Sequence, residues 1–275
     1  MLNDPHLKVL LYEADCSKIF PGQDIKGGIA ISYRDSSKFF GEIKTFTAFP
    51  QMNSILKKVD ASKSLAEIIY IQNRFDLDAL YSDFPEAEEV IGSNGKDKRF
   101  EKNIFKKVQQ VFLEEEVPDA VKVLGIVDNK REWRYILQKY VDMSHENIKK
   151  WKVLIPTSNG SGALGEVLST PLIGAPLIGY TRSFIAVGAF ETEAEAQSAL
   201  KYVKSKFCRV LLGALKVTQD NNKEVWVLIP LQDFTSSSDI DWSQSVAEID
   251  EQLYKKYGLS QEEIDFIETH VKEMD

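Results

Sequence analysis

The chain has 275 residues, of which 43% are hydrophobic and 28% are charged. This composition excludes a disordered chain, a collagen-like chain and a small disulfide scaffold. Cys16 and Cys208 lie far apart and match no metal-ligand spacing, so we expect a reducing, cytoplasmic compartment. The sequence contains no apolar run near the roughly 20 residues that a membrane span requires.

The formal net charge of -8 argues against a general nucleic-acid binder, but the charge is unevenly distributed. Residues 233–275 contain 12 acidic residues and 3 lysines, whereas residues 1–232 are almost balanced. Residues 130–152 contain seven Lys or Arg against three acids, and residues 201–223 contain six against one. Such runs most often form solvated helix and loop faces, and the alternative is a basic surface on an acidic protein.

The first hundred residues predict short elements joined by turns. Apolar patterns predict strands over residues 7–12 and 29–33, separated by a connector that contains Gly27 and Gly28. Further predicted elements are a strand over 43–49 and short helices over 52–59 and 65–71. Gly92-Ser93-Asn94-Gly95 closes an acidic stretch and predicts a flexible loop or a boundary.

The remainder mixes helices and strands, with one outstanding helix signal. Thr192 and Glu195 fit a capping box, and an apolar stripe follows them, so we expect a helix that continues with a break to residue 215. Ser260 with Glu263 predicts the cap of a last helix after a serine-rich linker. The other predicted elements are a helix over 100–112, a β-hairpin of 121–127 and 133–141, a short helix over 145–151, and strands over 152–155, 184–187 and 225–231.

Residues 160–165 spell GxGxxG after a predicted strand, the pattern of a nucleotide or S-adenosylmethionine loop. That chemistry requires a helix to begin at the loop, so that its N–H groups face the ligand. Pro171 and Pro176 make a helix here improbable, and no acidic residue follows at the expected distance. A loop that touches phosphate or a neighbouring strand is the preferred interpretation.

The zinc-binding and serine-hydrolase patterns are missing from the sequence. The three histidines, His6, His145 and His270, form no zinc-binding spacing, and no GxSxG motif occurs. The polar segment 215–223 is more suggestive, because its lysines could neutralise phosphates and its amides could contact base edges. An ordinary loop between a helix and a strand explains it equally well.

Three blocks of the sequence carry a family pattern. The first is the segment from Phe20-Pro21-Gly22 to Ile29, and the third covers residues 253–259, 262–264 and 266–268. The second and strongest block contains residues 190–196 and 202–209, Lys216-Val217-Thr218-Gln219 and Ile229-Pro230-Leu231-Gln232-Asp233-Phe234. Together these blocks resemble adenine-specific DNA methyltransferases of type II restriction-modification systems. Residues 40–150 match only loosely, and Asp220 stands where the family pattern leads us to expect histidine.

The resemblance implies the C-terminal part of such an enzyme, with an α+β fold. Residues 1–45 would be a remnant of the methyltransferase sheet, contributing a short strand pair. Residues 46–234 would form a mixed α/β target recognition domain, and residues 235–275 an acidic linker and C-terminal helix. The chain has no Asn-Pro or Pro-Pro pair of the kind found in the family's adenine pocket. We therefore expect no catalysis by this chain alone, with S-adenosylmethionine bound by a separate catalytic part.

The expected partners are double-stranded DNA and a methyltransferase catalytic domain or subunit, with no membrane. We expect basic side chains to contact phosphates and two amides, Asn159 and Gln219, to contact bases. The candidate DNA-binding residues are Arg131, Arg134, Lys152, Asn159, Arg182, Lys206, Arg209, Lys216, Gln219 and Lys223.

Two other functions stay open from the sequence. The glycine loop at 160–165 could hold S-adenosylmethionine and make the chain a compact DNA adenine methyltransferase. Alternatively, the strands over 7–12 and 29–33 could complete the sheet of a partner, making the chain a protein-interaction subunit.

Overall fold

The structure is a computed structural model that describes residues 2–13, 15–23, 29–59, 61–91 and 98–274. Within these residues the fold is α+β, as the sequence predicts, with three β-sheets. Gly27, Gly28 and the segment Gly92-Ser93-Asn94-Gly95 lie outside the described residues.

The strands are β1 (Leu7–Glu13), β2 (Ile29–Arg34), β3 (Ile69–Tyr70), β4 (Ala120–Val127), β5 (Lys130–Leu137), β6 (Trp151–Pro156), β7 (Leu172–Gly174), β8 (Ile178–Tyr180) and β9 (Phe184–Phe190). The α-helices are α1 (Pro50–Lys58), α2 (Leu77–Asp83), α3 (Ala87–Ile91), α4 (Ile104–Lys107), α5 (Glu193–Lys204), α6 (Lys206–Leu215), α7 (Val246–Lys256) and α8 (Gln261–His270).

Two sheets lie at the centre of the fold, and the chain passes directly from one to the other. The first is antiparallel, with strand order β3-β9-β6-β7, and the second has the order β5-β4-β8. β4 pairs antiparallel with β5 and parallel with β8. Because β8 belongs to one sheet and β9 to the other, residues 181–183 carry the chain between the two. Leu124, Leu154 and Tyr180 are buried in a small core that joins the sheets.

Larger cores lie on the outer sides of these sheets. The first packs the helices α1, α5, α6, α7 and α8 against the four-stranded sheet. Apolar residues from the C-terminal segment, including Trp242, Leu253 and Ile267, are buried in it. The second core lies between the hairpin β4–β5 and the short helices α2–α4. The acidic residues 235–275 therefore carry two helices that are integral to the main core.

The hairpin and the helices α5 and α6 form in the predicted regions, although β5 begins at Lys130, three residues before its predicted start, and the turn is correspondingly shorter. Asp128 and Asn129 connect β4 to β5 with φ values of 47° and 62°, the left-handed pair that a tight two-residue hairpin turn requires. Ser205 ends α5 and accepts a hydrogen bond from the Cys208 amide, so it caps α6 and provides the predicted break. Thr192 caps α5 through the Glu195 amide as predicted, but the Glu195 carboxylate accepts from the Glu191 amide instead of closing the box.

Several predicted elements are wrong. No strand forms over 43–49, no helix forms over 145–151, and the helix predicted over 100–112 is limited to α4. In place of the strand predicted over residues 225–231, the chain forms a 3₁₀ turn (Lys223–Trp226) followed by an irregular segment. Trp226 and Ile229 are fully buried there. Burial, and not strand pairing, therefore explains the apolar pattern of this segment.

The N-terminal strands pair only with each other among the described residues. β1 and β2 form an antiparallel two-stranded sheet with an irregularity between Val9 and Leu11. Leu10 is 57% exposed and Ile31 is 44% exposed, so the pair presents apolar side chains to its surroundings. Across the described residues, no helix has both the length and the apolar character needed to cross a bilayer.

Candidate functional site

A polar cleft of about 450 Å³ lies between the tip of the β4–β5 hairpin and the end of β6. Six of its eight lining residues have polar or charged side chains, and the strands β4 and β6 end there. The lining residues are Lys102, Ile126, Asp128, Asn129, Pro156, Thr157, Ser158 and Ser183. Hydroxyl, amide, ammonium and carboxylate groups thus face a common space.

The loop after α6 extends the cleft along one side. Ser158 forms an isolated antiparallel bridge with Asp220, and the Asn221 amide donates to the Thr157 carbonyl at 2.9 Å. The backbone N–H of Asn159 donates to the backbone carbonyl of Gln219 at 2.8 Å. Gln219 is exposed. The segment that the sequence suggested for base contacts therefore lies beside the hydroxyl-lined end of β6.

Cationic side chains border the cleft. Lys102 belongs to its lining, and Lys106 lies in an adjoining depression with its Nζ 2.7 Å from Asp128 Oδ1. Arg182 precedes the lining residue Ser183, and its side chain is 58% exposed with Nη1 3.3 Å from Glu101 Oε2. Exposed ion pairs of this kind contribute little stability, so these cations can be redirected to a ligand at small cost.

Arg131 connects the hairpin to the loop on the far side of β6. Its Nη2 donates to the carbonyl oxygens of Ser169 and Thr170 at 3.1 and 2.7 Å, and its guanidinium lies over the Phe184 ring at 5.7 Å. Burial lowers the pKa of Arg131 from its ordinary value. The guanidinium therefore fixes two segments at the edge of the cleft.

The structure separates the ten predicted DNA-binding residues by exposure. Arg131, Arg182, Gln219 and Lys223 are exposed, and Arg134 and Lys206 are partly buried. Arg134 is paired with Glu132 at 2.7 Å, and Lys206 with Glu268 at 2.5 Å. Of the whole set, the structure brings Arg131, Arg182 and Gln219 to the surroundings of the cleft, together with the buried Asn159 and Lys216 behind it.

Four of the predicted contact residues are buried: Lys152, Asn159, Arg209 and Lys216. Lys152 is completely buried and donates to the carbonyl oxygens of Asn147 and Ile178 at 2.7 and 2.8 Å. Arg209 donates to the carbonyl oxygens of Lys204 and Lys272, and so ties α6 to the C-terminal segment. Neither side chain can reach a phosphate, because its polar atoms are enclosed and used by the backbone.

Asn159 and Lys216 instead hold the cleft-side loops together. The side-chain amide of Asn159 donates to the Val167 carbonyl at 2.9 Å. Its oxygen accepts from the backbone N–H and the hydroxyl of Ser169, both at 2.5 Å. Lys216 Nζ donates to the carbonyl oxygens of Asn159 and Thr218 at 2.8 and 3.0 Å. Both residues therefore position the loops that carry Ser158 and Gln219.

The glycine loop does not provide the geometry of a nucleotide or S-adenosylmethionine site. No helix begins after it, and the Ser161 and Gly162 amides donate to the carboxylate of Glu166. A Cβ on Gly162 would lie 2.4 Å from the Thr218 nitrogen, and one on Gly165 would lie 2.1 Å from the His270 carbonyl oxygen. The glycines are explained by close packing of the chain against itself.

Sequence reasoning missed Lys102, Asn129, Thr157 and Ser183 as lining residues. One signal was available, because a run of polar residues directly follows the apolar strand β6. The turn Asp128-Asn129 was a second signal, since it marks the hairpin tip. Lys102 and Ser183 reach the cleft only through tertiary contacts, which no local sequence pattern reveals.

Comparison with models of known protein families finds no match for this chain, and no curated protein matches it significantly. Among the described residues, no group of three or more His, Cys, Asp or Glu side chains is arranged to hold a metal ion.

Proposed function

We propose that this chain recognises a DNA sequence as a module of a cytoplasmic restriction-modification methyltransferase and has no catalytic activity of its own. The observation that carries the proposal is the polar cleft bordered by Lys102, Lys106 and Arg182. Cations at the border would contact the phosphates of a duplex, and the exposed Gln219 would contact a base edge. The sequence resemblance to adenine-specific DNA methyltransferases supports the same function.

The overall acidity of the chain is compatible with this role. Duplex binding requires cations only on the face that contacts phosphates, because electrostatic screening limits the reach of charges elsewhere to roughly 8–10 Å at physiological salt. Most of the excess acid lies in residues 233–275, which pack with α1 and α6 in the main core. A partner with the catalytic part would add further contacts and would bind S-adenosylmethionine.

Selection from a library of random duplexes tests this function. The purified chain is incubated with the library at low salt, the bound DNA is recovered, and the pool is sequenced over several rounds. We expect enrichment of one short motif, and the same selection with the methyltransferase part added should enrich that motif more strongly. Absence of any enriched motif under both conditions contradicts the proposed function.

The exposed apolar side chains on the β1–β2 pair favour a second role, the docking of a protein partner. Leu10, Leu11 and Ile31 are 57%, 47% and 44% exposed on a sheet of only two strands, and such small sheets gain stability from added strands or packing. Copurification with the methyltransferase polypeptide tests this role. Loss of the complex in a Leu10→Glu, Leu11→Glu variant would support it, and an unchanged complex would contradict it.

A further inference from the structure

Two successive backbone amides and a hydroxyl in the glycine loop converge on one carboxylate. The Ser161 amide donates to Glu166 Oε1 at 2.9 Å, and the Gly162 amide donates to Glu166 Oε2 at 3.1 Å. The Ser161 hydroxyl donates to Oε1 at 2.7 Å. Gly160 and Gly162 have φ values of 60° and 92°, a left-handed backbone that turns the intervening N–H groups toward the same point.

A buried ammonium completes this arrangement. Lys216 Nζ lies 3.7 Å from Glu166 Oε2, and Lys216 is only 5% exposed. Its hydrogen bonds to Asn159 and Thr218 go to neutral carbonyl oxygens, so Glu166 supplies the negative charge nearest to it in the described contacts. Adjacent N–H groups, a hydroxyl and an ammonium are the donors that bind a phosphate oxyanion.

The Glu166 side chain is partly exposed, whereas its backbone has a separate contact. The Glu166 carbonyl oxygen accepts from Arg209 Nη1 at 3.4 Å, and its side chain keeps 22% exposure. Rotation of the side chain alone would therefore take the carboxylate toward solvent. Departure of the carboxylate would remove the anion that Lys216 and two amides contact, and an incoming anion would restore those contacts.

The loop adjoins the polar cleft. Ser158 lines the cleft two residues before Gly160, and Gly162 packs against Thr218, which precedes the exposed Gln219. Ser161 is itself exposed. A duplex that enters the cleft would consequently bring its backbone within reach of the same donors.

We propose that residues 160–166 form a phosphate-binding site that Glu166 occupies in the free protein, and that a phosphate of the DNA backbone displaces this carboxylate. The identification of DNA as the source of the phosphate rests on the proposed function. The anion site itself rests only on the donors of Ser161, Gly162 and Lys216.

Amide NMR spectra of the full chain test the site directly. Inorganic phosphate is titrated into the wild type, Glu166→Gln and the control Glu251→Gln, whose residue is exposed on α7. We expect the Ser161 and Gly162 resonances of Glu166→Gln to shift saturably, with affinity at least about tenfold above that of the wild type and the control. Glu166→Asp, which keeps the charge but shortens the side chain, should be intermediate and provides a second variant if glutamine disturbs folding. Phosphate-insensitive Ser161 and Gly162 resonances in both Glu166 variants overturn the site.

A second titration with a duplex distinguishes the source of the phosphate. Shifts of Ser161 and Gly162 with both duplex and inorganic phosphate support the proposal in full. A response to inorganic phosphate alone overturns DNA as the source. Binding of the duplex while Ser161 and Gly162 stay unperturbed overturns the inference and leaves the proposed function standing. Absence of any duplex binding would instead count against the proposed function.

Discussion

Lys152 Nζ donates to the carbonyl oxygen of Ile178 at 2.8 Å inside the protein and thereby connects β6 to β8. Its other acceptor, at 2.7 Å, is the Asn147 carbonyl, so the ammonium is fully buried against neutral oxygens. Burial lowers the pKa of Lys152 from its ordinary 10.5 to about 7. This contact joins the two central sheets and also makes their stability depend on pH.

Lys152→Met should remove a pH-dependent part of the free energy of unfolding. The unfolded chain holds the Lys152 proton up to about pH 10.5 and the folded chain only to about pH 7, so the unfolded state binds more protons between these values. Wild-type stability should therefore fall as the pH decreases from 10 to 7, by up to about 1.4 kcal/mol per pH unit. Urea unfolding of both proteins at pH 7, 8, 9 and 10 measures the difference, and parallel profiles would contradict this account.

Gly162→Ala should destabilise the protein far more than Gly258→Ala. Both glycines have positive φ, 92° and 60°, but a Cβ at Gly162 would lie 2.4 Å from the Thr218 nitrogen, whereas nothing lies within 4 Å at Gly258. Gly258→Ala should cost about 1 kcal/mol from backbone strain alone, and Gly162→Ala about 2–4 kcal/mol because the steric clash adds to it. Denaturation midpoints test the order, and equal losses would show that the loop yields to the added methyl group.

Lys216 and Lys223 should respond differently to replacement although they share one basic segment. Lys216→Met removes hydrogen bonds to two carbonyl oxygens and one charge near Glu166, and it should lower the free energy of unfolding by about 2 kcal/mol. Lys223→Met alters an exposed side chain and should change the free energy of unfolding by less than about 0.5 kcal/mol. Chemical denaturation of the two variants decides between structural and surface roles, and similar losses would refute the distinction.

Arg182→Gln should weaken duplex binding and reduce its dependence on salt. Removal of one phosphate-neutralising charge should lower the affinity about three- to tenfold and reduce the slope of log affinity against log salt concentration by about 1. Lys255→Gln removes the same charge from the exposed surface of α7 and serves as the control. Fluorescence anisotropy at several salt concentrations measures both quantities. Identical slopes for the two variants would exclude Arg182 from the interface.

Local signals predict the elements that depend on neighbouring residues alone. The hairpin turn at Asp128-Asn129 and the cap at Thr192 are formed by side chains and backbone within a few positions of each other. β3, by contrast, has only two residues, and it exists because Ile69 and Tyr70 pair with Val187 and Ala186. Its strand character depends on a partner that is remote in sequence.

The positions of the basic side chains were harder to predict, because Lys and Arg can extend either way from a half-buried element. A partial signal was present for Arg209, which lies among apolar residues of α6, and for Lys152, which lies next to a continuous apolar run in β6. Cations in such surroundings are usually satisfied by the backbone. Arg182 and Gln219, which the sequence proposes for DNA contact, are exposed, because both stand in polar loops directly beyond buried elements.

The crossing of the chain at residues 181–183 has a consequence for synthesis on the ribosome. The pair β4–β5 is complete once Leu137 has emerged, because its two strands are separated by a single turn. β3 emerges earlier but must wait for β9, and β4 must wait for β8, so the three-stranded sheet cannot close before Tyr180 is available and the four-stranded sheet cannot close before the region around residue 190 is available. Because distant pairings form slowly, the nascent chain would expose unpaired edges of both sheets during this interval, and early association with another polypeptide would protect them.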